Sequence, residues 1–320
     1  MSKINLNFNG IEVSVNPHIE FLGAIFIIAD FPLNKIRNNQ KYVDEIKTFL
    51  KKHEKHDVVK KFKKMLTLPA FKYDAPLEMI LCFINDTDPS YELLTRANIT
   101  KEEFFNLQTE FFDFYKETNF EIFFNSHIGI YQKNINDFIE RLSPFSPHDF
   151  LFNFIKLKSN NLKIVLMHSL STSNYGLMND DNLYCFVRPY YLSRFDGYFD
   201  FAYDLPYVTT LILHEFAHSF INPLTDKFLT NENLINKEKL NNCLEINSYG
   251  THYKTAINET IIRTIECIYV KKYFGESYEE FKQEYITDGF VHIPELEKLF
   301  ENKPNKPINE YYNEILKIFY

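Results

Sequence analysis

Eleven residues constrain this chain more than any others: the run from Leu211 to Ile221, reading Leu-Ile-Leu-His-Glu-Phe-Ala-His-Ser-Phe-Ile. At about 100° per residue the run is apolar on nearly every side, the mark of a helix buried in a core. Its centre nevertheless carries His214, Glu215 and His218. A buried helix cannot hold three such groups without partners, because each unpaired one costs a few kcal/mol. The spacing offers a partner. His214 and His218 are four residues apart, so both imidazoles leave one face and can converge on a single ion. Glu215 sits one step round the helix, within reach of a water on that ion without ligating it.

This is the HExxH pattern of zinc hydrolases. The plainer reading is a chance match on a core helix, which leaves the three polar groups unexplained. A catalytic zinc keeps three protein ligands and one open position, so a third ligand is required. The metzincin extension needs glycine at 221 and histidine at 224, and those positions hold Ile221 and Leu224. Downstream candidates are Asp226, Glu232, Glu238, Glu245, His252, Glu259 and Glu266. The first four lie in lysine- and asparagine-rich sequence, where a solvated carboxylate is commoner. Glu259 is the choice: it opens the next long helix, and two antiparallel helices can present it and the histidines to one ion. Glu266 and His252 stay open as alternatives. Glu259, Arg263 and Glu266 also share one side of that helix, opposite Ile257, Ile261, Ile265 and Ile268, which reads equally as a solvent face with an i,i+4 salt bridge.

The rest of the composition narrows the class. At 320 residues the chain can bury a large core and suggests two domains. It holds 33 Phe and 21 Tyr but 8 Gly, which favours helices joined by short connections. A net charge of −8 gives no basic face for nucleic acid, and Lys60 to Lys64 reads as a solvated helix side. Cys82, Cys185, Cys243 and Cys267 are scattered, as reduced core residues are, with no thiolate zinc site. The N-terminus shows no signal peptide, and the longest apolar run, Phe21 to Ala29, is too short to span a bilayer. A cytoplasmic protein without nucleic-acid or membrane partners is the expectation; oligomeric state is open.

In chain order, alternation over 4–8 and 11–15 about Asn9-Gly10 predicts a hairpin. An apolar helix follows from Pro17, then amphipathic helices over 40–67 broken near His56-Asp57. Another helix runs from Pro76 to Ile84. Thr100 and Glu103 form a capping box for a helix to Thr118, and a further helix covers 119–141. Pro144 and Pro147 mark a boundary between a helical region, 1–145, and a second domain, 146–320. There, strands at 163–170 and 183–188 flank a polar loop, 171–181, and an aromatic segment runs to Tyr207. The HExxH helix begins at Pro206 and ends at Asn222-Pro223. A short helix at 232–240, a long one over 254–274 and three shorter ones at 277–286, 294–301 and 309–319 complete the chain.

The segment Ala256-Ile257-Asn258-Glu259 resembles the ligand segment of thermolysin-like gluzincins, with a longer gap from His218 and with Arg263 where those enzymes place an aspartate. A closer likeness is to a bacterial domain-of-unknown-function family of predicted zinc peptidases. It rests on Asn16 to Leu22, Asn174-Tyr175-Gly176, His214 to Phe220 with Asn222-Pro223, and Asn258-Glu259 with Arg263. These resemblances imply an α+β, mainly helical zincin-like fold, with the strands above the metal and one edge open to an extended peptide. They imply an oxyanion partner shortly before Glu259, where Tyr249, His252 and Tyr253 stand. The expected function is a zinc metallopeptidase acting on a peptide or protein: His214, His218 and Glu259 bind zinc, and Glu215 is the general base. A non-peptidase zinc hydrolase acting on a small amide or ester, and a binding protein with a vestigial site, are the alternatives.

Overall fold

The computed structural model of the chain describes residues 4–31, 40–157, 161–170, 173–247, 249–303 and 305–320. It is α+β and mainly helical with a small mixed sheet. The chain divides into two units, one of residues 1–143 with 161–203, the other of 144–160 with 204–320.

The first unit opens with a hairpin, β1 (Ile4–Phe8) and β2 (Ile11–Val15). Asn9 (φ 47°) and Gly10 (φ 81°) both lie in the left-handed region, as a two-residue hairpin turn of this twist requires. Asn16 then caps α1 (Pro17–Ile28) by accepting from the amides of His18 and Ile19. α2 (Gln40–Leu50) and α3 (Asp57–Met65) are separated by a 3-10 turn, and α4 (Ala75–Asn85) and α5 (Tyr91–Ala97) follow. α6 (Lys101–Glu117) begins at the capping box of Thr100 and Glu103. The helix expected over 119–141 is two, α7 (Phe120–Ser126) and α8 (Ile128–Leu142), divided at His127. There the imidazole Nδ1 lies 2.8 Å from the Phe123 carbonyl and Nε2 lies 2.9 Å from Glu45. Phe21 on α1 meets Phe111, Phe114, Tyr115 and Phe120 at ring separations of 5.0–5.3 Å, so much of the aromatic excess is core packing.

The sheet order is β1-β2-β3-β5-β4, where β3 is Leu162–Leu166, β4 Tyr175–Asn179 and β5 Asn182–Val187. β2 pairs in parallel with β3, and β3 with β5. That pairing explains why 161–203 groups with the N-terminal unit and not with the residues that follow Pro144. The polar loop read over 171–181 begins outside the described residues at 171 and 172, and it contains β4, turned back onto β5 at Asp180 and Asp181. A second hairpin, β6 (Tyr190–Phe195) and β7 (Tyr198–Asp200), occupies the aromatic segment. Glu20, fully buried, ties α1 to the chain beyond β3: its carboxylate accepts from the amides of His168 (2.7 Å) and Ser169 (3.0 Å) and from the Tyr42 hydroxyl (3.0 Å). A Cβ on Gly23 would lie 2.0 Å from Ser169 Oγ, so only glycine admits this approach.

The second unit is helical: α9 (Pro147–Ile155), α10 (Tyr207–Phe228), α11 (Lys237–Ile246), α12 (Tyr253–Tyr273), α13 (Tyr278–Thr287), α14 (Ile293–Glu301) and α15 (Tyr312–Leu316). α10 does not stop at Asn222-Pro223; Pro223 lies inside it. Proline removes one backbone bond from a helix interior. Here the turn beyond it is held by burial, because Thr225 is fully buried and linked to Asn258 on α12 and, at 2.6 Å, to the Tyr312 hydroxyl. α12 packs against α9, α10, α11, α13 and α14, and its buried residues lie on every side. No helix among the described residues is long and apolar enough to cross a membrane.

Candidate metal centre

The site is built on α10 and α12. Side-chain pairs fix their sense: His214 meets Glu266, His218 meets Glu259 and Thr225 meets Asn258. Numbers rise along one helix as they fall along the other, so the helices are antiparallel. His214 and His218 leave one face of α10, and their Nε2 atoms are 3.1 Å apart. Glu259 brings Oε1 to 3.4 Å from His218 Nε2 and Oε2 to 3.7 Å from His214 Nε2. One ligating atom from each of the three residues lies within 4.8 Å of the others.

The ring orientations are set from behind. His214 Nδ1 is 2.9 Å from Glu266 Oε1, and Tyr285 donates to Glu266 Oε2 at 2.5 Å. His218 Nδ1 is 3.2 Å from Asn222 Oδ1, one turn along α10. Both acceptors require the proton on Nδ1, so in the neutral rings both Nε2 lone pairs point at each other and at the Glu259 carboxylate. Three electron-rich atoms at these separations repel unless a proton or a cation lies between them.

The dimensions suit a metal ion. Ligands about 2.1 Å from a tetrahedral centre are about 3.4 Å from one another; the two Nε2 atoms are 3.1 Å apart, and the Glu259 carboxylate faces them with both oxygens, Oε1 3.4 Å from His218 Nε2 and Oε2 3.7 Å from His214 Nε2. Two neutral imidazoles and a carboxylate, each imidazole backed by an oxygen acceptor, are a donor set that zinc accepts readily. Glu259 Oε2 is buried with no hydrogen-bond partner; Arg263 Nη2 lies 3.1 Å away, as an ion pair without hydrogen-bond alignment.

The charges of these groups respond to their crowding. Burial pushes the His214 pKa down, but Glu266, Glu259 and Glu215 outweigh it and raise it to about 9. Burial pushes the Glu259 carboxyl up, yet His214, His218 and Arg263 hold it well below the usual carboxylate range. Glu215 moves the other way: burial raises its pKa, only partly opposed by the two histidines. Its residue is 9% exposed, and no described protein group hydrogen-bonds its carboxylate. The side chain is therefore available to a water molecule.

The remaining positions separate clearly. Glu259 and Glu266 are 9% and 2% exposed, so the charged side of α12 is not a solvent face. α13 and the segment around Phe290 cover it: Tyr285 bonds Glu266, and both rings lie against Arg263. Glu266 stands behind His214 instead of beside the histidine Nε2 atoms, a backing role that spacing alone does not distinguish from ligation. Tyr249 lies close enough to Glu259 and Arg263 for their charges to act on its hydroxyl, whose pKa burial raises first and Glu259 further. His252 is the N-cap position of α12 and Tyr253 its first residue, with Lys237 over the Tyr253 ring at 5.2 Å; neither joins the group of converging donors. The four cysteines are buried and form no disulfide among the described residues. Neither Asn222 nor Tyr285 was assigned a role from the sequence; the place of Asn222 one turn beyond His218 is the signal that could have found it, whereas Tyr285 carries none.

A family model, "Domain of unknown function (DUF4932)", matches residues 29–318. The chain belongs to that family. No curated protein and no solved structure matches it.

Proposed function

We propose that the protein is a zinc-dependent hydrolase of gluzincin type, and within that class a metallopeptidase with a zincin-like second unit. One observation carries the reading: two buried imidazoles whose Nε2 atoms face each other at 3.1 Å beside a carboxylate, each with its Nδ1 engaged from behind. His214, His218 and Glu259 would hold the ion, with Glu266 and Asn222 fixing the rings. When bound, zinc supplies Lewis acidity, which acidifies water and polarises a carbonyl. Glu215, whose pKa burial raises and whose carboxylate no described residue hydrogen-bonds, would take the proton of the attacking water and hand it to the leaving amine. Tyr249, whose hydroxyl lies within reach of the Glu259 and Arg263 charges, would donate to the developing oxyanion.

The test begins with elemental analysis of the full chain purified without added metal, where about one zinc per molecule is expected. His214→Ala should abolish that content. Unchanged zinc in the variant would overturn the assignment. Peptide-bond cleavage is read with a mixed peptide library followed by mass spectrometry, in parallel with small ester and amide substrates. New termini that depend on Glu215 support a peptidase. Turnover confined to the small substrates would move the reading to a non-peptidase hydrolase.

A further inference from the structure

Arg263 is left over once the ligands and the base are assigned, and it stands in an unusual place. It is one turn beyond Glu259 on α12, with Nη2 3.1 Å from Glu259 Oε2. Its guanidinium carbon lies 4.7 Å from the Tyr285 ring centroid and 4.6 Å from that of Phe290. Its Nε is buried without a hydrogen-bond partner. The two rings stand nearly perpendicular with centroids 6.3 Å apart, so the guanidinium sits in the corner they form, 22% exposed, where water screens its charge less than that of a surface pair.

The charge count gives it a purpose. With an ion bound both imidazoles are neutral, and the ionised Glu215, Glu259 and Glu266 then bring three negative charges to one buried locus. Arg263 returns one, so the protein presents −2, the mirror of a divalent ion. Without it the locus would carry −3. We propose that Arg263 is a positioning residue that sets the net charge of the metal site: it moderates the grip on the ion and leaves the ion more electron-withdrawing. The inference rests on the zinc reading above.

A charge role and a purely steric one predict opposite signs. If Arg263 sets charge, R263Q should bind zinc roughly tenfold or more tighter, because a nearby positive charge has gone. If it only props Glu259, R263Q should bind more weakly. Zinc affinity would be measured by competition with a chromophoric chelator for wild type, R263Q, R263K, E266Q and the double variant R263Q/E266Q. R263K keeps the charge and should stay within about threefold of wild type. E266Q removes one negative charge and should bind about tenfold more weakly, and the double variant should return to within about threefold of wild type. Weaker or unchanged binding in R263Q overturns the inference, as does a double variant no tighter than E266Q. Should R263Q fail to fold, R263K decides, and a tenfold loss there overturns it. A wild-type chain that takes up no zinc removes the zinc reading and this inference together; zinc-loaded wild type with an indifferent R263Q removes this inference alone.

Discussion

Replacing Glu266 by alanine tests whether the site is held from behind as the geometry indicates. The carboxylate accepts from His214 Nδ1 at 2.9 Å and from the Tyr285 hydroxyl at 2.5 Å, in a residue 2% exposed. Glu266→Ala strands both donors. Each stranded buried donor costs about 1–3 kcal/mol, and breaking a buried charged pair costs about 3–5 kcal/mol. Water entering the vacated space can re-pair one donor, which sets the expectation for the metal-free protein near 3 kcal/mol. At about 2–4 °C per kcal/mol the melting temperature should fall by about 6–12 °C. Zinc affinity should fall by about 10–100-fold, as it does when the partner of a ligating histidine is lost. Glu266→Gln keeps an acceptor for His214 and should cost about 1 kcal/mol. The assays are urea and thermal unfolding by circular dichroism with chelator present, and chelator competition for zinc. Glu238→Ala, at an exposed position, is the control. If Glu266→Ala matches Glu238→Ala in both measurements, the backing role is wrong.

Other consequences can be measured on the same protein. Glu259→Ala should release zinc to a chelator by orders of magnitude more readily than wild type, while His252→Ala should not; the reverse ranking would place the third ligand at the start of α12. Glu215→Gln should keep zinc and fold and lose at least about a hundredfold in rate, and full turnover in this variant would exclude it as the base. In metal-free protein, His214 with its pKa raised from 6.5 to about 9 adds stability that is complete below pH 6.5 and lost as pH rises through 9. A shift of that size corresponds to about 3 kcal/mol; urea midpoints at pH 6 and pH 9 should show the fall in the metal-free chain and not in the zinc-loaded one. Glu20→Ala should destabilise the first unit by about 3–5 kcal/mol, since it strands two amides and a hydroxyl. The zinc content of the molecules that remain folded should be unchanged.

Local rules transferred well where the sequence names both partners. Asn9-Gly10 announced its turn and Thr100 with Glu103 its cap, because each is a contact between residues a few positions apart. The convergence of His214, His218 and Glu259 was also readable, two of them from helical spacing and the third from its place on the next long helix. What covers a helix is a different question. Arg263 and Glu266 share a polar side of α12, and a wheel cannot tell a side facing water from one facing Tyr285 and Phe290. Pro223 failed as a stop for a related reason: the cost of one lost backbone bond is local, while the burial of Thr225 that offsets it comes from residues 33 and 87 positions away. β4 was invisible because Tyr-Gly-Leu-Met-Asn has no strong alternation, and its strand character comes from pairing with β5.

The interleaving of the two units has a consequence during synthesis. β2 cannot complete its parallel pairing until β3 has emerged, so the first unit closes only after residue 203, and any terminal cut near 145 would leave the β2 edge bare. The nine residues of α9 belong to the second unit but precede most of it by more than forty positions. Phe150, Leu151 and Ile155 are buried in the finished protein, where α9 packs on α10 and α12. At about 5–20 residues per second, the stretch from 161 to the end of α12 at Tyr273 takes about 6–23 s to appear. Until then a short apolar helix waits without its full set of partners. A nascent chain halted at residue 203 should therefore present α9 to chaperones and proteases, whereas the completed chain should not.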